Sequence, residues 1–112
     1  MKSRRQIEIT LALKKLLSED SHINRRPSYY AQLLHVSPVY LNEVVKNITG
    51  TTASKYIQDE IILRAKRMLI YTTLSIKEIA FDLGFDDHTY FTRLFTQTAG
   101  LTPTTYRKKY LE

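Results

Sequence analysis

The residues of this 112-residue chain that could carry acid–base or metal chemistry include three histidines and two of the pairs of adjacent acids. They are His22, His35 and His88, with the pairs Asp59-Glu60 and Asp86-Asp87. The histidines are far apart in sequence, and consecutive residues such as Asp86, Asp87 and His88 cannot converge on one ion as ligands spaced along a helix face can. The chain has no cysteine, which removes thiolate nucleophiles and cysteine-ligated zinc. The sequence therefore predicts a protein that is not an enzyme and has no metal or cofactor.

Positive charge is the more informative chemical feature. Lys and Arg number 17 against 11 Asp and Glu, which gives a formal net charge of +6 and a pI near 9.6. This balance favours a polyanionic partner, of which nucleic acid is the commonest. The 43% hydrophobic fraction is enough for a core, and no apolar run approaches the ~20 residues that span a bilayer. We therefore expect a cytoplasmic protein that makes no contact with a membrane.

The eight tyrosines allow a second nucleic-acid interpretation, in which rings stack on the bases of a single strand. Five of them fall at positions that helical periodicity assigns to the core: Tyr30, Tyr40, Tyr56, Tyr90 and Tyr106. Packing in the core is therefore the preferred interpretation of this group.

Apolar residues recur at spacings of three and four almost throughout the chain, which is typical of α-helices. The pattern predicts seven helices: about 4–18, a short one from Pro27, 38–48, 53–71, a short one between Ser75 and Gly84, 87–98, and a last one from Pro103. The predicted N-caps are Ser37, Thr52, Ser75 and Asp87. Glu78 completes a capping box with Ser75.

The same periodicity marks the apolar positions of each helix. Those of the first helix are Ile7, Leu11, Leu13, Leu16 and Leu17. Those of the sixth helix, expected to be buried, are Tyr90, Phe91, Leu94 and Phe95.

An internal repeat decides the architecture, because the chain matches itself at an offset of 50 residues. The matched pairs are Tyr40–Tyr90, Leu41–Phe91, Val44–Leu94, Val45–Phe95, Gly50–Gly100, Thr52–Thr102 and Tyr56–Tyr106. Upstream the offset becomes 49, as in Ala31–Ala80, because the second copy has one extra residue in its turn. Each copy consists of a short helix, a tight turn and a second helix, which is the plan of a helix-turn-helix motif.

The helix between the two copies would be about 28 Å long at ~1.5 Å per residue. Such a rod could hold the two second helices near one turn of DNA, ~34 Å, apart on one face of the duplex. The prediction is an all-α fold with a helix-turn-helix subdomain over 1–52, a linker helix over 53–71 and a second such subdomain over 72–112. Two alternatives stay open: a helical protein–protein interaction module without DNA affinity, and a small helical enzyme.

A dense set of short motifs fills the second copy from Ser75 to Tyr106. They are Ile79-Ala80, Gly84-Phe85, Tyr90-Phe91, Arg93-x-Phe95, Gly100 and Thr102-Pro103-x-x-Tyr106. The first copy adds Ala31, Leu34, Val36-Ser37-Pro38, Tyr40-Leu41, Lys46, Gly50, Tyr56 and Arg64-Ala65. On these residues, over about 10–111, the chain resembles the C-terminal DNA-binding domain of the AraC/XylS-type transcriptional regulators. The resemblance implies the two-motif fold, sequence-specific binding to promoters, and contact with RNA polymerase, usually as an activator.

Three positions depart from the family pattern. The common Phe-Lys pair of the first copy is Val45-Lys46 here, and Glu43 stands where a basic residue is frequent. The second copy has Phe95-Thr96 and so lacks the usual lysine. Phosphate anchoring near these helices is therefore weaker in charge than the pattern implies.

Family members generally carry a separate sensing or dimerising domain in addition. We therefore expect this chain to be an excised C-terminal piece rather than a stand-alone regulator. The piece itself is expected to be monomeric, and the parent protein dimeric through the missing domain.

Positions exposed on the two second helices should reach base edges in the major groove. The predicted base contacts are Val39, Asn42, Glu43, His88, Thr89, Thr92 and Arg93. Asn42 suits adenine, and the fork of Arg93 suits guanine O6 and N7. For Glu43 a bond from cytosine N4 and a filter against wrong sequences both stay open. For Arg93 a phosphate contact or an ion pair with Asp86 or Asp87 stays open beside the base contact.

Contacts to the DNA backbone are expected from hydroxyl and basic side chains together with amides at helix N-termini. The predicted set is Ser37, Lys46, Lys55, Thr96, Thr102, Arg107 and Lys108, with Thr89 also within reach. Each lysine by itself is also consistent with an ordinary solvated surface position.

Overall fold

A computed structural model describes residues 3–19 and 26–111 of the chain. This part consists of seven helices and contains no strand, which confirms the all-α prediction. The helices are α1 (Arg4–Glu19), α2 (Pro27–Leu33), α3 (Pro38–Thr49), α4 (Ala53–Tyr71), α5 (Ile76–Asp82), α6 (His88–Ala99) and α7 (Pro103–Leu111). His22 lies outside the described residues.

The predicted N-caps are confirmed by hydrogen bonds to the first turn of each helix. Ser37 Oγ accepts from the backbone N–H of Tyr40 at 3.0 Å, and Thr52 Oγ1 accepts from that of Lys55 at 3.1 Å. Asp87 Oδ1 accepts from the N–H of Thr89 at 2.9 Å. These bonds satisfy N–H groups that have no partner within the helix, so the local sequence marks where α3, α4 and α6 begin.

The start of α5 is the predicted capping box. The backbone N–H of Ser75 donates to Glu78 Oε1 at 2.9 Å, and the N–H of Glu78 donates to Ser75 Oγ at 3.1 Å. Hydrogen bonding to the Glu78 carboxylate, first from the backbone N–H of Ser75 and then from its side chain, favours the ionised form and holds the pKa of Glu78 below its usual value.

The chain divides into two compact units, and the first is Met1–Gln58. In this unit α1 and α2 both pack on α3. Its fully buried side chains are mainly aliphatic: Leu13, Leu17, Tyr30, Ala31, Leu41, Val44, Val45, Ala53 and Ile57.

The second unit is Asp59–Glu112, in which α5 and α7 both pack on α6. A cluster of aromatic rings lies in its core beside aliphatic side chains: Phe85 contacts Phe91 with centroids 5.3 Å apart, and Phe95 contacts Tyr106 at 5.6 Å. Edge-to-face pairs of this kind add to the stabilisation from burial. The second copy is therefore built around rings where the first uses branched aliphatic side chains such as Val45.

The expected burial of Tyr90 in the core is wrong. Tyr90 is 46% exposed, because Phe85 and Phe91 fill the core and Tyr90 lies against Phe85 with centroids 6.0 Å apart. Among the apolar positions of α1, Leu13 and Leu17 are buried, whereas Ile7 and Leu11 are 40% and 60% exposed.

Helix α4 is continuous over the predicted 19 residues, and the boundary between the two units falls inside it, after Gln58. The division into residues 1–52, 53–71 and 72–112 stays a prediction. None of the described helices is both long enough and apolar enough to cross a bilayer.

Candidate nucleic-acid interface

Helix α3 has one fully buried face and one open face. Leu41, Val44 and Val45 are 0% exposed, whereas Val39 is 71% exposed and Glu43 also faces solvent. The amphipathic spacing of the sequence produces this division, because residues three and four apart share a face. The first copy therefore exposes the apolar Val39 and the acidic Glu43 on a helix whose opposite face is packed in the core.

Asn42, a predicted base contact, is half-buried and already has a partner within the protein. Its Oδ1 accepts from the backbone N–H of Ala53 at 2.9 Å. This bond joins α3 to the first residue of α4. The contact of Asn42 with a DNA base stays a prediction, and its side-chain oxygen already accepts one hydrogen bond within the protein.

A groove of about 750 Å³ lies where α2, α3 and α4 begin. Its lining comes from the first two turns of these helices and the residues before them: Arg26, Pro27, Ser28, Pro38, Val39, Asn42, Thr52 and Ser54. Helix N-termini carry partial positive charge, so this groove suits an anionic group. Sequence reasoning missed Arg26, Ser28 and Ser54, because only tertiary packing brings them together with Val39 in one groove.

Helix α6 has the same two-faced construction. Phe91 and Phe95 are 0% exposed, and His88, Thr89 and Arg93 face solvent, with Thr92 half-buried beside them. The N–H of Thr89 serves the Asp87 cap, which leaves its side chain outside the capping bond.

Arg93, the predicted guanine contact, forms no ion pair with Asp86 or Asp87 in the part of the chain that the structure describes. Asp87 uses its carboxylate as the α6 cap instead. Of the roles open to Arg93, contact with a base or a phosphate therefore remains, and both stay predictions.

Three of the predicted backbone contacts are exposed lysines, Lys46, Lys55 and Lys108. The hydroxyl residues also have structural bonds: Thr102 Oγ1 accepts from the N–H of Thr105 at 3.1 Å, and Thr96 Oγ1 donates to the carbonyl of Thr92 at 2.7 Å. Ser37 caps α3 in the same way. A capping hydroxyl at a helix N-terminus, such as that of Ser37 or Thr102, lies beside backbone amides that can bind a phosphate. The DNA contacts of all these residues stay predictions.

Arg107 has a structural role that the sequence did not reveal. Its Nε donates to the carbonyl of Leu69 at 2.9 Å, and its Nη2 donates to that of Thr72 at 3.3 Å. Leu69 lies in the last turn of α4, where carbonyls have no partner within the helix, and Thr72 follows the helix directly. The contact of Arg107 with DNA stays a prediction, with two of its five donors already used.

Comparison with known proteins places this geometry in a family. The helix-turn-helix domain family matches residues 30–109. The uncharacterized HTH-type transcriptional regulator YfiF of Bacillus subtilis is 35% identical over 103 residues, which cover 92% of this chain and 31% of that protein. The chain thus spans about a third of the length of this curated relative.

Solved structures show the same fold. The C-terminal domain of AraT, a response regulator from Geobacillus stearothermophilus, superposes with a TM-score of 0.81 at 27% identity, over 96% of this chain and 87% of that one. The DNA-binding domain of AdpA, solved in complex with a target DNA, gives a TM-score of 0.80 at 20% identity, over 96% and 94% of the two chains.

Proposed function

The chain belongs to the AraC-type family of helix-turn-helix transcriptional regulators, a family that binds DNA, and from this premise we propose how it reads a promoter. Each copy of the motif inserts its second helix, α3 or α6, into the major groove. The two grooves are successive, so that one chain covers two half-sites.

The observation that carries this proposal is the matched pair of two-faced helices. In both α3 and α6 the inner face is fully buried, and the outer face carries side chains suited to base edges. The proposed base contacts are Val39, Glu43, His88, Thr89, Thr92 and Arg93, with Asn42 considered separately because its amide oxygen is engaged. Val39 suits a thymine methyl group, and Arg93 suits guanine.

Phosphate contacts are proposed at the edges of these helices. The groove at the starts of α2, α3 and α4 offers helix N-termini and the hydroxyls of Ser28, Thr52 and Ser54. Lys46, Lys55, Ser37, Thr96, Thr102, Arg107 and Lys108 complete the proposed set. Such contacts fix the register of the protein on the duplex, whereas the base contacts select the sequence.

The rival function is a helical protein–protein interaction module without DNA affinity. Glu43 favours this alternative, because a carboxylate on the outer face of α3 repels phosphates. In the DNA-binding interpretation the same carboxylate rejects sites that offer it no donor.

Selection from random duplexes, followed by a salt titration of the selected site, separates the two functions. We expect a motif of roughly 15–20 bp. The logarithm of its affinity should fall linearly with log salt, by about 0.9 for each phosphate neutralised. The absence of any selected motif, together with salt-independent binding to another protein, would contradict the proposal.

A doubly substituted variant and a matched control test whether the outer faces of α3 and α6 bind DNA. Val39→Asp with Thr89→Asp places a negative charge on the outer face of each second helix, and both positions are exposed. We expect this variant to lose binding to all sequences by more than about 100-fold, through repulsion from phosphate. Leu11→Asp, on the exposed side of α1, is the control and should bind as the unaltered chain does.

Further partners follow from the family and are proposals of the same kind. We propose that the parent regulator contacts RNA polymerase at the promoter, usually as an activator, and acts in the cytoplasm, where its DNA is. The described chain needs no second copy to present both motifs, so it binds as a monomer. Dimerisation would belong to the sensing domain of the parent protein.

A further inference from the structure

The two copies of the motif treat one position of the second helix differently. At the offset of 50, Asn42 corresponds to Thr92 and Ala53 corresponds to Pro103. Ala53 is the first residue of α4, and Pro103 is the first residue of α7. The chain therefore contains both versions of the same junction, one with an N–H group and one without.

In the first copy the N–H group needs an acceptor. The first N–H groups of a helix have no partner within it. Ala53 is fully buried, so water cannot supply one. Asn42 Oδ1 accepts this hydrogen at 2.9 Å. Leaving a buried donor unsatisfied would cost more than the bond itself contributes.

In the second copy the need does not arise. Pro103 is also buried at the start of its helix, but proline has no backbone N–H. Residue 92 therefore has no donor to satisfy, and a threonine occupies it.

We propose that Asn42 is a positioning residue that fixes α3 to the start of α4, and that it is not a reader of bases. Bidentate recognition of adenine uses the amide oxygen of asparagine as acceptor and its nitrogen as donor. In Asn42 one lone pair of the oxygen serves Ala53, and this bond holds the half-buried amide at the start of α4 instead of leaving it to turn toward a base. Base reading by α3 then rests on Val39 and Glu43, the exposed positions either side of Asn42. This inference rests on the proposed DNA-binding function.

A double-mutant cycle tests the structural half of the proposal without DNA. The variants are Asn42→Ala, Ala53→Pro and the two combined, where Ala53→Pro copies the Thr102-Pro103 junction of the second motif. We expect Asn42→Ala to lower the melting temperature by about 4–8 °C, through one unsatisfied buried N–H. In the Ala53→Pro background the same change should shift it by less than about 2 °C. Equal losses in both backgrounds would overturn the role of the Asn42–Ala53 bond.

Base preference tests the other half, and Asn42→Asp keeps the chain folded because a carboxylate oxygen can accept the same hydrogen. Four chains should select the same DNA motif. They are the unaltered chain, Asn42→Asp, Ala53→Pro, and the variant that combines Asn42→Ala with Ala53→Pro. Asn42→Asp should bind every sequence more weakly, because it adds a negative charge. A change of preference at one base pair in Asn42→Asp would overturn the inference.

The experiments distinguish failure of the proposed DNA binding from failure of the Asn42–Ala53 bond. If the unaltered chain selects no motif, DNA binding is contradicted and the inference about base reading falls with it. The stability cycle still decides the Asn42–Ala53 bond in that case. Thr92→Ala is the control in the second copy: it should leave the melting temperature within about 2 °C of the unaltered chain, because Pro103 offers no N–H.

Discussion

His35 and Gly84 occupy the same left-handed backbone position in the turns of the two motifs, with φ of 58° and 88°. The hydrogen bonds around them also correspond: the N–H of Val36 donates to the carbonyl of Ala31 at 3.0 Å, and the equivalent bond of the second copy measures 2.9 Å. Glycine is preferred at this helix ending because it has no Cβ to meet the backbone. The first copy holds a histidine in a conformation that the second assigns to glycine.

His35→Gly should therefore stabilise the protein. Relief of left-handed strain is worth roughly 1–2 kcal/mol, and the added freedom of the unfolded chain takes back about 0.4–1 kcal/mol. We expect a net gain of about 0.5–1 kcal/mol in the free energy of unfolding, measured by urea denaturation. His35→Ala is the control, since it removes the imidazole and keeps the strain. An equal gain in both variants would assign the effect to the side chain instead.

Arg93→Ala should relax the preference for one base pair of the selected site. We expect affinity for the preferred base to fall by about 1–3 kcal/mol with little change elsewhere, because alanine cannot donate to guanine O6 and N7. Competition binding against single-base variants of the site measures this. Lys108→Ala is the comparison: it should weaken binding to all sequences equally, and the slope of log affinity against log salt should be smaller by about 1. Uniform weakening by Arg93→Ala would assign Arg93 to a phosphate.

Arg107→Met should lower stability, because it removes the donors that cap the C-terminal carbonyls of α4. Hydrogen bonds from charged groups are each worth about 1.5–3 kcal/mol. Partial exposure of the guanidinium and retained packing by methionine reduce the expected loss to about 1–2 kcal/mol. Lys108→Met, next to it and exposed, should change stability by less than about 0.5 kcal/mol. Unchanged stability with weaker DNA binding would favour a purely phosphate-binding role for Arg107.

The capping box of α5 gives stability a defined dependence on pH. Hydrogen bonds from Ser75 lower the pKa of Glu78 in the folded protein below its ordinary value of 4.5. This contribution is complete above that value and is lost as the pH falls through the lowered pKa. Denaturation at a series of pH values between about 3 and 6 should show a shallower acid loss in Glu78→Gln than in the unaltered chain. Glu43→Gln, which removes a carboxylate outside any cap, is the control; an identical pH dependence of Glu78→Gln and the unaltered chain would contradict the assignment.

Local sequence was sufficient for the helices and their caps, because a cap involves residues two or three apart. Ser37, Thr52, Ser75 and Asp87 could be assigned from neighbours alone. The repeat added the architecture, since two matched copies predict two like motifs.

Bonds between distant residues could not be predicted in this way. Asn42 and Ala53 are 11 positions apart, and Arg107 and Leu69 are 38 apart, so each pair meets only through tertiary packing. The prediction that Tyr90 is buried failed because Phe85 and Phe91 fill the core space next to it, which also depends on tertiary packing. These failures fall on the candidate interface, where a polar or aromatic side chain can serve either the fold or the DNA.

The central claim is that one chain reads two successive major grooves, and changing the spacing of the selected site tests it most directly. Inserting about 5 bp between the half-sites rotates one of them to the opposite face of the duplex. We predict that the affinity of the monomeric chain then falls to that of a single half-site, as measured by titration with the labelled duplex. Affinity that is unchanged by the insertion would mean that only one of the two motifs reads DNA.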